Sequence, residues 1–263
     1  MEDRKVKEVE FHDLIRSPEM LADPARREYY TSNKKWYTVA RESDGDFKDW
    51  IRQRCSGKRL LDFGTGDGEY AMFAASCGAE ATGIDISPVS VDNATREAAR
   101  RGLGSRATFV VQDGEQLNLP DASFDLICES GVLHHVDLDT VFAEMARVLT
   151  PDGEAICLEA LVHNPIIHWY RQRTPHLRTE YEVAHILSVD EIQGAKKYFG
   201  RMTIRYYHLA VLLAVPFRRT RLFGPLLSVL ETVDAVLLRI PGLQRLAWIA
   251  IFTLGAPRHA VRA

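Results

Sequence analysis

Between residues 59 and 162 short apolar runs alternate with stretches of helical spacing. Arg59-Leu60-Leu61-Asp62-Phe63 reads as a buried strand, and Glu69 to Cys77 as a helix that Gly78 ends. Ala79 to Ile86 predicts a second strand. Ser87-Pro88 then opens a helix to Arg101, with a capping hydroxyl followed by proline in the first turn, and Gly102 stops it. Strands are predicted at Ala107 to Gln112 and Phe124 to Glu129. Val141, Phe142, Met145 and Val148 follow helical spacing, and Pro151-Asp152-Gly153 turns the chain into a fifth strand, Glu154 to Val162. Strands alternating with helices in this way predict βαβ units and a parallel sheet. Beyond them the pattern predicts a helix (Val189 to Phe199), a strand (Met202 to Val215), a helical insert (Leu222 to Leu246) and a last strand (Ala247 to Leu254). Upstream, residues 1–57 are polar and aromatic by turns. Pro18 and Pro24 break any long helix there, and Asp46 to Arg54 is the clearest helical stretch.

Composition narrows the class. A chain of 263 residues with 46% apolar and 26% charged side chains has room for one large α/β domain or two small ones. The charged start, Met1-Glu2-Asp3-Arg4-Lys5, has no apolar stretch behind it and does not read as a secretory leader. The longest apolar run, Leu209 to Phe217, is about half of what a membrane-spanning helix needs. Four scattered cysteines without metal-ligand spacing predict buried thiols in a reducing compartment, hence a cytoplasmic protein with no metal site. A net charge of −3 and a pI near 6.3 argue against a nucleic-acid partner. The charge is uneven, however. From Arg201 onward nine arginines face only Glu231 and Asp234, a balance of +7, which leaves −10 for the first two hundred residues. This region predicts no membrane span, but it permits association with an anionic surface.

The chemistry concentrates in Asp62-Phe63-Gly64-Thr65-Gly66-Asp67-Gly68, directly after one strand and before a helix. Glycines at every second position allow a tight turn and a close approach to a ligand. The dinucleotide fingerprint of nicotinamide dehydrogenases needs a further glycine where Glu69 stands, so the loop suits a ligand without phosphates.

With that loop the sequence resembles the class I S-adenosylmethionine-dependent methyltransferases of the small-molecule type, and the resemblance runs from residue 59 to 162. Gly83-Ile84-Asp85-Ile86-Ser87 places an acid at the end of the second strand. Val111-Gln112-Asp113-Gly114-Glu115 ends the third, Gly131-Val132-Leu133-His134-His135-Val136 follows the fourth, and Arg147 to Gly153 matches the turn before the fifth. The resemblance implies a Rossmann-like, doubly wound α/β fold. Its seven-stranded sheet is mostly parallel with an antiparallel last strand, an N-terminal helical lid covers residues 1–57, and residues 58–263 form the main domain with a late helical insert at about 222–246. It implies S-adenosyl-L-methionine as cofactor and S-adenosyl-L-homocysteine as product, held by Tyr37, Asp62, Gly64, Gly66, Gly68, Asp85, Ile86, Asp113, Gly114, Glu115 and Glu129. Asp85 is suited to a ribose diol and equally to capping the next helix.

The acceptor implied is a small metabolite, with an apolar one left open, methylated at O, N or C. It should lie beyond the carboxyl ends of strands four and five. Tyr29, Tyr30, Glu159 and His163 are the candidate acceptor contacts. His135 and His134 are the candidate bases, with simple packing in the loop as the alternative for each. The rival functions are a cofactor-binding enzyme that cyclises rather than methylates, and a scaffold without catalysis. A monomer or a homodimer is expected. The stripe Leu226, Val229, Leu230, Val233, Val236, Leu237 and Ile240 in the insert is expected to pack on the core, with an acceptor lid, a dimer face or a membrane-surface patch as alternatives.

Overall fold

The computed structural model describes residues 3–258 apart from 178, 180 and 182–184. Seven strands form one sheet in the order β3-β2-β1-β4-β5-β7-β6. They are β1 (Arg59–Phe63), β2 (Glu80–Asp85), β3 (Ala107–Val111), β4 (Phe124–Ser130), β5 (Leu149–Ala160), β6 (Phe199–Tyr207) and β7 (Ile249–Pro257). The first five pair in parallel, and β7 runs antiparallel to both β5 and β6. The order reverses between β1 and β4, which is where open α/β sheets place ligands. This is the Rossmann-like fold expected.

Successive strand residues face opposite sides, so neighbours divide between two cores. Leu60 faces a cluster with Ala71, Ala74 and Ala75 of α5 (Glu69–Ser76) and Phe47 and Ile51 of α4 (Arg41–Arg54). Leu61 and Phe63 face the other side, against Val141, Phe142 and Met145 of α7 (Leu138–Val148). Helix α6 (Pro88–Arg100) starts as predicted: Ser87 accepts from the Ser90 amide, and Pro88 occupies the first turn. The remaining N-terminal residues form α1 (Asp3–Arg16), α2 (Pro18–Ala22), α3 (Pro24–Tyr30) and a 3-10 segment, Ser32–Val39.

Several expected boundaries shift, three of them with a visible cause or consequence. Strand β5 begins at Leu149, because Leu149 pairs with Phe124 while Pro151 to Gly153 bulges out before Leu126 meets Glu154. The helix expected to reach Phe199 ends at Gln193 (Val189–Gln193, here α9) and gives way to a 3-10 turn. The strand expected to reach Val215 stops at Tyr207. His208 turns the chain at a φ of 66°, and Ala210–Phe217 coils as a 3-10 segment containing Pro216. Asp234 explains that coil: its buried carboxylate accepts from the amides of Leu209, Ala210 and Val211. A continuous apolar run fits strand or helix equally, so pattern alone had no means to choose.

In the insert, α10 (Phe223–Leu237) buries Leu227 and Asp234, and Leu226 and Leu230 are half-buried. Val229, Val233, Val236 and Ile240 stay exposed, so only part of the expected stripe meets the core.

Candidate active site

A cavity of about 130 Å³ opens at the carboxyl ends of β1 to β4. Its sheet-side wall comes from the loops: Gly64 after β1, Asp85 and Ile86 after β2, Gln112 to Glu115 after β3, and Ser130 to Val132, His135 and Val136 after β4. That wall carries three carboxylates (Asp85, Asp113, Glu115) and no Lys or Arg, a setting that repels a pyrophosphate and favours a cation. Asp85 accepts from the amides of Gly66 (2.9 Å) and Ser87 (2.9 Å), which fixes its carboxylate at the cavity edge. Each carboxylate oxygen has a further lone pair, so a vicinal diol can still donate to it. Gly64 has a φ of +70°, and a Cβ there would lie 2.2 Å from Val132 Cγ2, so the β1 and β4 loops meet only because position 64 lacks a side chain. These acceptors, beside a loop that a Cβ at position 64 would close, fit the hydroxyls of the nucleoside end of S-adenosylmethionine.

The opposite wall is helix α1, which contributes Arg4, Lys5, Glu8, His12 and Arg16. Lys5 Nζ lies 2.6 Å from Asp113 and 2.7 Å from Glu115, and Arg4 donates to Glu115 (2.5 Å) and to the His135 carbonyl (2.6 Å). Asp13 accepts from the Ser87 hydroxyl at 2.5 Å. Ligand pockets run from about 300 Å³ upward. With the α1 side chains on Asp113 and Glu115, the cavity is smaller than that range. None of these α1 side chains was among the expected site residues, although α1 lies in the expected N-terminal lid segment. Their signal was present in the four-residue spacing of Arg4, Glu8, His12 and Arg16, one helical face bearing only polar groups.

His135 meets the cavity, and its Nδ1 lies 3.0 Å from Glu8 of α1. Burial alone pushes the Glu8 carboxyl up, but His12, His135 and the Thr179 hydroxyl outweigh it and hold the group well below the usual carboxylate range. Glu8, His12 and His135 bring three ligand atoms within 4.8 Å of one another. His12 Nδ1, however, accepts from the Arg16 guanidinium at 2.8 Å, because arginine can only donate. The proton of neutral His12 then sits on Nε2, which faces Glu8 at 3.5 Å. That tautomer turns a proton, not a lone pair, of His12 toward Glu8.

His134 and Glu159 go inward. Glu159 and Glu129 are fully buried; Glu159 accepts from the Leu133 amide (2.6 Å) and pairs with His134 Nδ1 (2.8 Å), while Glu129 accepts from the Val132 amide (2.7 Å). Burial and the Glu159 charge push Glu129 well above its ordinary range. Burial also works against ionised Glu159, but the His134 charge and hydrogen bonds bring it below its ordinary range. One proton thus stays on Glu129, and both carboxylates tie down the loop that presents His135.

Other expected site residues lie elsewhere. Asp62 is buried and holds the glycine loop, accepting from Thr65 Oγ1 (2.6 Å) and the Ala71 amide (3.0 Å); burial raises its pKa to about 6. At Gly68 a Cβ would collide with Ala94 and Phe109, so this glycine serves the packing of α6 and β3. Arg16 covers Gly66, with its guanidinium nitrogen 3.0 Å from where a Cβ would stand. Tyr29 stacks on His176 (4.3 Å) beside Tyr30, Tyr37 makes an edge contact with Trp248 (5.1 Å), and His163 is exposed; none of the four borders the cavity. Of the polar connection Arg171 to Glu182, positions 178, 180 and 182 lie outside the described residues.

Residues 61–157 match the family model described as a methyltransferase domain. The 27-O-demethylrifamycin SV methyltransferase of Amycolatopsis mediterranei is 40% identical over 100 residues, 37% of this chain and 37% of that enzyme. A demethylmenaquinone methyltransferase of Thermus thermophilus is 36% identical over 105 residues, 39% of this chain and 47% of that one. The matched stretch thus spans less than half the length of these relatives. Among solved structures, the geranyl diphosphate C-methyltransferase of Streptomyces coelicolor superposes with a TM-score of 0.56 at 17% identity, over 82% of this chain and 76% of that chain, a likeness of fold. Residues 61–157 are therefore similar to a methyltransferase domain.

Proposed function

We propose that the whole chain transfers a methyl group from S-adenosylmethionine to O, N or C of a small, apolar acceptor. One observation carries the reading: Asp85, Asp113, Gly64 and His135, drawn from four separate loops, converge on one acid-walled cavity at the sheet's switch point. In this reading Asp85 holds the ribose hydroxyls, Asp113 with the Gly114 and Glu115 amides meets the adenine edge, and Arg16 is available to the carboxylate. When bound, the cofactor supplies an already activated methyl group, so the chain has mainly to align, desolvate and, for a hydroxyl acceptor, remove a proton. His135 takes that proton on Nε2 while Glu8 accepts from Nδ1 and balances the resulting imidazolium. The covering role falls to the first part of the N-terminal segment, α1 to α3. A cytoplasmic setting accords with four free cysteines.

The test is calorimetric titration with S-adenosylhomocysteine, followed by single-turnover methyl transfer once an acceptor is found. Asp85→Ala should weaken binding by about 1.5–3 kcal/mol, the range for hydrogen bonds to a charged group. His135→Ala should slow transfer roughly 10²–10⁴-fold with cofactor affinity retained. Unchanged affinity in the first variant removes Asp85 from the ribose role, and unchanged turnover in the second leaves His135 a packing residue.

A further inference from the structure

Three elements at the carboxyl edge of the sheet share a surface that the methyl-transfer reading does not use. The 3-10 segment Ser32–Val39, helix α8 (Pro165–Arg173) and the 3-10 segment Ala210–Phe217 meet along one groove, which Lys35, Trp36, Ile166, Leu213 and Arg218 help to line. Large apolar side chains stand out of these elements. Tyr37 is 53% exposed, Trp169 54%, Leu213 58%, Phe217 40%, and Leu222, just beyond, 64%. Isolated exposed apolar residues are ordinary, but four on three adjoining elements, with Leu222 just beyond, make a patch.

The charge of the same elements is one-sided. Residues 32–39 carry Lys34 and Lys35, residues 165–173 carry Arg171 and Arg173, and residues 210–222 carry Arg218, Arg219 and Arg221. That is two, two and three cations, without a single Asp or Glu in the three stretches. Cations also lie over the rings, with Arg173 4.0 Å from the Trp169 centroid and Lys35 4.5 Å from that of Tyr170. Aromatic rings and aliphatic side chains among long cationic ones are the composition that settles at a headgroup boundary: the apolar parts enter the acyl edge and the charges meet anionic lipid. Among the described residues no helix is long and apolar enough to cross a membrane, so such contact would be peripheral.

We propose that this face docks the protein onto an anionic lipid surface. Charge complementarity selects that occupant over a second copy of the chain, because a two-fold contact would set the seven cations against each other. Strand β5 leads into α8, and β6 into the Ala210–Phe217 segment, so the face stands at the edge of the sheet where the cofactor loops open. The docking itself stands independently of methyl transfer.

The experiment is flotation of the full chain with vesicles of phosphatidylcholine alone and of phosphatidylcholine with 30 mol% phosphatidylglycerol, at low and high salt. Binding is expected to the anionic vesicles only, weakening as salt rises. Each cation near such a surface is worth a factor of about five, so the triple variant R218E/R219E/R221E should bind at least ~50-fold more weakly. Leu213→Ser with Phe217→Ser should reduce binding at least ~10-fold. Circular dichroism and thermal melting check that both variants fold, and their substituted positions are exposed or half-buried, so folding should survive. No binding to anionic vesicles at low salt overturns the proposal, as does binding unaffected by the charge reversal. A dimer in light scattering that the Phe217 variant dissociates also overturns it, by giving the face to a second copy.

Discussion

Helices α1 and α4 each have fourteen residues and both lie in the N-terminal segment, yet they attach to the sheet by opposite means. Helix α4 buries Phe47 and Ile51 in the core beneath β1, with Val39 and Cys55 at its two ends. The one buried residue of α1 is Glu8, a carboxylate. Its hold on the cavity consists of Arg4, Lys5, Glu8, Asp13 and Arg16 reaching polar groups of the loops. Apolar burial is indifferent to pH and nearly so to salt, and it is lost only when the domain unfolds. Charged contacts at a cavity rim exchange for water or for a ligand at modest cost. One segment therefore contains a piece of the core and a polar wall of the cavity.

The comparison can be broken most forcefully at Phe47. Phe47→Ala should cost about 3–5 kcal/mol in urea or thermal unfolding, as for other large core rings, and should lower the stability of the whole domain at once. A loss under about 1 kcal/mol would mean that α4, like α1, is only laid on the surface. A smaller effect is expected from removing Arg4 and Lys5 together. The double alanine variant should open α1 alone, with about 1.5–3 kcal/mol lost from its docking and correspondingly faster amide exchange over residues 3–16. The global midpoint should hardly move, and S-adenosylhomocysteine should bind more tightly because Asp113 and Glu115 are no longer engaged. Weaker binding would show that α1 contributes more contacts to the cofactor than it blocks.

The smallest effect separates the helices by pH. Glu8 is held below its ordinary value of 4.5, so its contribution to α1 docking is complete above that pH and is lost as pH falls through the folded-state value. Amide exchange over α1 should therefore stay level from pH 7 to about 4.5, once corrected for the intrinsic rate, and rise below that while α4 remains protected. Glu8→Gln should flatten that response. Parallel loss of protection in both helices would tie α1 to the core after all.

Much of the frame was legible because its signals are local. The strand–glycine loop–helix order around Gly64, the Ser87-Pro88 helix start and the acid at Asp85 all lie within a few residues of the structure they specify. Residues whose role depends on distant partners were not legible. Asp62 sits inside the glycine motif yet turns inward to brace the loop, and Glu129 and Glu159 end neighbouring strands yet serve the loop between them. The tyrosines at 29 and 37 looked suited to cover a ligand, but Tyr29 stacks on His176, Tyr37 makes an edge contact with Trp248, and neither borders the cavity.

The sequence by itself determined the alternation of strands and helices, the parallel pairing it implies, and the glycine loop after the first strand, because period, caps and glycines act over one or two turns of chain. Tertiary structure alone decided which wall closes that cavity. Lys5 meets Asp113 across 108 residues and Arg4 meets the His135 carbonyl across 131, and nothing in the spacing of either stretch encodes the encounter. It also decided that residues 210–217 coil rather than extend, since that choice lay with the carboxylate of Asp234 in a later helix. Local signals specify elements; which charged side chain finds which partner is settled only once the elements have packed.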